Sequence, residues 1–233
     1  MNTLSVKPAT TKKTTDKDVY HEIFDAILAF RLQPGTKLTE DDLAHIFGVG
    51  RTTIRRALVR LAHDHIVEIE PNKGAYVARP SVKQAIEIIG ARRVIEAAIV
   101  ADVCVNASGQ DFKMLRELVS AEQESNDHEN VTEGLRLSGD FHLMLAKVSA
   151  NTTLQRIITT LVPQTSLIIV LYEKPGQPQC SHVEHFSLID VMEKADVKAA
   201  TKLMDAHLAG IEDKLILDQA DFPTSLIDVF KKR

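Results

Sequence analysis

Residues 34–78 read PGTKLTEDDLAHIFGVGRTTIRRALVRLAHDHIVEIEPNKGAYVA, and their punctuation decides the fold of the N-terminal part. Pro34-Gly35 breaks helices and favours a turn. Thr39 precedes Glu40, Asp41 and Asp42, a hydroxyl cap followed by carboxylates where the helix dipole favours negative charge, so a helix starts there and runs to about Phe47. Gly48-Val49-Gly50 supplies a short turn, and a third helix runs from Arg51 through Ala62. Two short helices joined by a glycine-containing turn make a helix-turn-helix. Ile66 to Glu70 partly alternates, Pro71-Asn72-Lys73-Gly74 holds turn residues, and Ala75 to Val77 can return as a second strand, which predicts a small hairpin, or wing.

The third helix has two chemistries. On a helical wheel Ile54, Ala57, Leu58 and Leu61 share a narrow arc, and Arg51, Thr52, Arg55, Arg56 and Arg60 spread over the rest. A cationic helix of this length fits the major groove, where Arg forks pair with guanine O6 and N7. Arg51 and Arg55, near the helix start, are the candidates for base contacts. Arg56 and Arg60 lie further round and suit phosphate, as do Lys73 and the Gly74 backbone in the wing, and Thr52 offers a hydroxyl to either. A solvated Arg-rich face is the plainer alternative; the capped helix before it and the wing after it favour DNA.

Working outward, Val19, Ile23, Ile27 and Leu28 recur at helical spacing from Asp18, giving a first helix before Pro34, while residues 1–16 are rich in Thr, Lys and Ser and read as a disordered tail. The winged helix-turn-helix then spans 17–79. Arg79-Pro80-Ser81 falls in a linker, 80–83, because the residue before a proline is pushed out of helical conformation. Beyond it residues 82–107, 111–127, 131–149, 152–173, 181–194 and 196–218 each carry apolar positions three and four apart. This predicts a mainly α chain whose second domain, 84–220, is an antiparallel bundle of about six helices, with a C-terminal tail at 221–233.

Composition limits the function. Hydrophobic residues make up 44% and charged residues 26%, enough to fold a core. The net charge is -4, but residues 1–79 carry +2 and residues 80–233 carry -6, so DNA contact belongs to the first part. Cys104 and Cys180 are too few and too far apart for a disulfide framework or a CxxC motif, and no signal peptide or long uninterrupted apolar run is seen. A cytoplasmic protein without a membrane partner is expected.

The quoted stretch closely resembles the GntR-type winged-helix domain over the whole module, in a pattern that includes Pro34-Gly35, Leu43-Ala44, Gly48-Val49, Arg51, Arg55, Ala57-Leu58 and Gly74-Ala75. The resemblance implies that Arg51, Arg55 and Gly74 occupy positions where such regulators contact operator DNA. Gly50, Thr53, Arg56 and His65 depart from the usual Ser or Thr, Pro, Glu and Gly. Asp41 stands where some members carry a DNA-contacting Arg, so no operator sequence carries over.

His142, His185 and His207 each lie on an apolar helix face. Spacing alone favours three separate core or interface histidines over three convergent ligands. Residues 84–218, however, resemble the all-helical FCD domain of FadR-type GntR regulators, through GDFHLMLAKVSANTTL, SHVEHFSLIDVMEKADVKAA and MDAHL. The resemblance implies a divalent metal, Zn or else Ni or Mn, on His142, His185 and His207. The family's fourth ligand, an Asp four residues before the first His, is Ser138 here, and Asp140 points to the opposite side of its helix. This leaves a three-His site completed by water or effector, or no metal at all; His182 and Cys180 stand near His185 as other donors. The resemblance also implies a small organic acid as effector. Arg92 matches a family arginine suited to a carboxylate, or else pairs with Glu96 at i+4, and Asn151 either assists or caps the next helix.

These readings describe a sequence-specific transcriptional regulator and not an enzyme: a homodimer on operator DNA, its affinity set by an effector at Arg92, Ser138 and Asn151. A metal-dependent enzyme and a constitutive architectural DNA binder are the alternatives.

Overall fold

The computed structural model describes residues 14–172 and 182–215. The expected tails and Cys180 therefore lie largely or wholly outside the described residues. Helix α1 (Asp16–Leu28) begins two residues before Asp18, because Thr15 and Asp18 close a reciprocal capping box. Helix α2 (Glu40–Phe47) is capped by Thr39 and ends at Gly48, whose φ of 63° is the left-handed geometry that glycine adopts without strain. Helix α3 (Arg51–His63) starts from Gly50, which offers its first turn no side-chain cap.

The wing is β2 (Val67–Glu70) and β3 (Gly74–Val77), and a short strand absent from the sequence reading, β1 (Lys37–Leu38), pairs with β3 to give a sheet of order β1-β3-β2. All pairing is antiparallel, with Lys37 opposite Tyr76 and Val67 opposite Val77. Two residues give too little alternation to detect β1 in advance. Val19, Ile23 and Ile27 of α1, Leu43 of α2, and Ile54, Leu58 and Leu61 of α3 close one core over this sheet.

The second domain holds α4 (Val82–Asn106), α5 (Gly109–Asp127), α6 (Val131–Val148), α7 (Thr152–Tyr172), α8 (His182–Glu193) and α9 (Val197–Lys214). Ser81 with Gln84 and Ser108 with Asp111 form capping boxes that fix the starts of α4 and α5. By length and composition α7 is apolar enough to cross a bilayer, yet it packs within the bundle and buries Ile158, Val162, Ile168 and Ile169.

The domains share apolar surface. Leu28 of α1 belongs to the bundle core, Leu167 of α7 belongs to the winged-helix core, and Phe24 and Leu171 pack against both. The Tyr172 hydroxyl donates to the Pro80 carbonyl at 2.6 Å, tying the end of α7 to the linker.

Candidate functional site

The first candidate surface is the outer face of α3. Ile54, Ala57, Leu58 and Leu61 are buried, and Arg51, Thr52, Arg55, Arg56 and Arg60 are exposed, so the two predicted faces are both present. The cations are not equivalent. Arg55 donates from Nε and Nη2 to the two carboxylate oxygens of Glu40 at 2.8 and 2.7 Å, and Arg51 pairs with Asp41. Lys73 in the wing pairs with Glu70 at 2.7 Å. Arg60 lies over the ring of Tyr20, 4.3 Å from its centroid, which turns it back towards α1. Arg56 has no ion pair among the described residues. Gly74 has a φ of 112°, a conformation that L side chains rarely adopt, so the tight end of the wing turn calls for glycine.

The second candidate lies inside the bundle. His142 on α6, His185 on α8 and His207 on α9 come from three helices and are 2, 0 and 4% exposed. Their Nε2 atoms converge: His185 to His207 at 3.3 Å and His207 to His142 at 3.4 Å. One nitrogen from each ring lies within 4.8 Å of the others. The opposite nitrogen of each ring meets a carboxylate. Glu96 on α4 holds Nδ1 of His142, Glu122 on α5 holds that of His185 at 2.7 Å, and Glu184 on α8 holds that of His207 at 2.7 Å.

A carboxylate behind each ring favours the tautomer with its hydrogen on Nδ1, which leaves an Nε2 lone pair to face inward. Three acceptors then face one another, an arrangement that favours a shared cation. The ring orientation, with carboxylates behind imidazoles, is the one that supports metal ligation. Charge points the same way: Glu96 and Glu122 are buried, and among the described residues Arg92 is the one buried arginine or lysine. Burial alone would raise the Glu96 carboxyl, but the Arg92 guanidinium beside it and the hydrogen bond from His142 hold it down at about 2.

Arg92, 3% exposed, donates from Nε to Glu96 Oε1 at 2.6 Å, so the chain Arg92–Glu96–His142 links guanidinium to cluster. The i+4 ion pair expected with Glu96 is present, and it leaves Nη2 buried with no hydrogen-bond partner among the described residues. Ser138 is buried one turn before His142 on the same face of α6. Asp140 points away, bonded to Arg136 at 2.7 Å. Asn151 accepts from the Leu154 amide at 3.2 Å and donates to Asp102 at 3.3 Å, so it caps α7.

Glu122 and Glu184 were missed in the sequence. Glu122 follows Leu115 and Val119 on the buried stripe of α5, and a carboxylate on an apolar stripe is the signal that could have found it. Glu184 precedes His185 directly and carries no such mark.

Comparison with known proteins follows the same division. Residues 15–77 match the family of bacterial regulatory proteins called gntR, and residues 87–210 match the FCD domain. The Uxu operon regulator of Haemophilus influenzae is 26% identical over 200 residues, covering 78% of this chain and 74% of that protein. The HTH-type transcriptional repressor RspR of Escherichia coli is 21% identical over 204 residues, covering 86% and 88%. Among solved structures, a GntR protein of Rhodococcus sp. RHA1 matches with a TM-score of 0.70 at 23% identity, over 85% of this chain and 95% of that one, a likeness of fold.

Proposed function

This chain belongs to the GntR family of bacterial regulatory proteins, with an FCD domain behind its winged helix, and on that premise we propose that it is a transcriptional regulator whose operator affinity is set by a small organic acid bound in the bundle. The observation that carries the sensing half is the buried cluster: three inward Nε2 atoms, one of whose rings is joined through Glu96 to an arginine with one unpaired nitrogen. His142, His185 and His207 are the proposed ligands of a divalent ion, Zn or else Ni or Mn, since neutral imidazoles suit these metals. When bound, the ion supplies a concentrated positive charge in a dry site. Three protein ligands fall short of a four-ligand shell, and Arg92 Nη2 offers an anchor for an effector carboxylate. Ser138 lines the same side; Asn151 acts at one remove, through its cap on α7.

We read the bundle as a sensor and not an enzyme. Glu96, Glu122 and Glu184 stand behind the imidazoles, on the side away from the converging nitrogens, and Asp140 is held by Arg136. None of these carboxylates is placed to act as general base at the open face.

Helix α6 is the proposed link between ligand and DNA. It carries His142 inward, while its Arg136 and Asp140 share an electrostatic cluster with Asp25 on α1, where burial raises both aspartates from their ordinary value. The active form is a homodimer in this reading, because paired reading helices match two-fold operators. The outer face of α4 supports it: Ile86, Val94 and Val105 are exposed, the last two by 75 and 77%. A regulator that acts on operator DNA is a cytoplasmic protein in this reading.

Metal content by elemental mass spectrometry tests the site. A stoichiometric divalent ion in the wild type that is lost in His185→Ala is the expected result. No ion in either, with reloading unsuccessful, would leave the effector to Arg92 alone and overturn the metal assignment.

A further inference from the structure

We propose that Glu40 and Asp41 are positioning residues that determine DNA specificity, each holding one arginine of α3 so that it reads bases rather than phosphates; this rests on the DNA-binding reading above. The two acidic residues open α2, and the two arginines lie a turn apart on α3. The Arg55–Glu40 contact is a two-point fork, Nε and Nη2 on one carboxylate, across 15 residues of sequence. Arg51 meets Asp41 through Nε.

The geometry selects a role. A guanidinium has five N–H donors in one plane. When a carboxylate occupies the Nε side, the edge formed by Nη1 and Nη2 remains, and that edge fits guanine O6 and N7 end-on. The rotors of a long side chain are already ordered by the pair, so fewer are immobilised on binding. Charge argues for the same role. An arginine that shares a carboxylate has little net charge to offer a phosphate, so Arg51 and Arg55 add little to the sequence-independent attraction. Arg56, with no ion pair among the described residues, is left to supply it.

Asp41 is the more telling residue. An acidic side chain 63% exposed on the surface that meets DNA repels phosphate unless a neighbouring cation uses it. Its attachment to Arg51 converts that liability into orientation.

The test compares wild type, Glu40→Gln, Asp41→Asn and the conservative Glu40→Asp, all as the full chain. Wild-type protein first selects a preferred sequence from a random double-stranded DNA pool; binding to the selected duplex and to the unselected pool is then measured across salt concentrations. Each neutral variant should bind the pool more tightly and with a salt slope steeper by about one ion, since one arginine is released to phosphate. The ratio of selected to pool affinity should fall by roughly tenfold or more. Glu40→Asp should recover part of that ratio, which loss of fold alone cannot explain. Tightening on both DNAs by the same factor would mean that the pairs merely restrain the arginines, and would overturn the proposal. Parallel weakening with an unchanged slope would overturn it too. If the wild type selects no sequence at all, the DNA reading itself fails, and the proposal with it.

Discussion

Glu122→Gln isolates the carboxylate that stands behind His185. The wild-type contact is 2.7 Å between Glu122 Oε2 and His185 Nδ1, with both side chains essentially inaccessible. Glutamine keeps the shape and can still accept from Nδ1–H, so the ring stays in place. What changes is charge: the neutral amide makes Nε2 less basic, and its NH₂ lands where Glu122 Oε1 has no hydrogen-bond partner among the described residues. Removing such a supporting group weakens metal binding by roughly 10- to 100-fold. At about 1.4 kcal/mol per decade, the loss is about 1.4 to 2.8 kcal/mol. Competition for Zn against a chromophoric chelator reads the affinity, and denaturation in excess chelator shows whether the metal-free fold survives. An unchanged Zn affinity in a folded Glu122→Gln protein would refute the argument that the carboxylates prepare the imidazoles for metal.

Two predictions concern the winged helix. The Tyr20 hydroxyl donates to Asp64 at 2.8 Å inside the core, and Tyr20→Phe should cost about 1 to 3 kcal/mol at neutral pH, because it leaves a buried acceptor without this donor. Burial, with Asp64 adding to it, raises the Tyr20 pKa above its ordinary value, so this stabilisation is intact below pH about 10 and is lost as pH rises further, where the unfolded chain ionises first. Denaturant titrations of both proteins at neutral pH and above pH 10 should show the gap narrowing; a constant gap would contradict this. His65 has a φ of 55°, the left-handed region that non-glycine residues occupy at a cost of about 1 to 2 kcal/mol. Set against the extra unfolded-state freedom of glycine, about 0.5 to 1 kcal/mol, His65→Gly should stabilise the domain by about 0.5 to 1 kcal/mol in the same assay, and a loss of stability would show that His65 does more than turn the chain.

The His65 geometry also illustrates what the sequence discloses. The family's usual glycine marked the backbone conformation there, and the histidine in its place was visible as a departure; only the structure shows that the conformation is kept. The helical spacings of α1 and of α3 to α9 were legible because each buried stripe repeats locally, and α2 was legible from its Thr39 cap and acidic first turn. Strand β1 was not, since Lys37 and Leu38 are extended only because Tyr76 and Ala75 lie opposite. In the site the three histidines could be picked out, each on its own apolar face, but their convergence depends on how α6, α8 and α9 cross. Glu96 could be read as a partner for Arg92 at i+4, whereas its second bond, to His142, joins residues 46 apart. On α3 the wheel separated core from cation, yet the wheel of one helix cannot show that Glu40 and Asp41 of another helix claim two of its arginines.

The claim that ligand and DNA are coupled through one protein is tested most directly by operator affinity with and without effector. The metal-loaded protein is titrated with its selected duplex while a panel of small mono-, di- and tricarboxylic acids is added in turn, and the same is done for Arg92→Ala. The account predicts that at least one acid shifts DNA affinity by about 5- to 150-fold, that the duplex shifts the affinity for this acid by the same factor, and that the effect is lost in Arg92→Ala. DNA affinity indifferent to every acid, in a protein that binds one of them in the bundle, would contradict it.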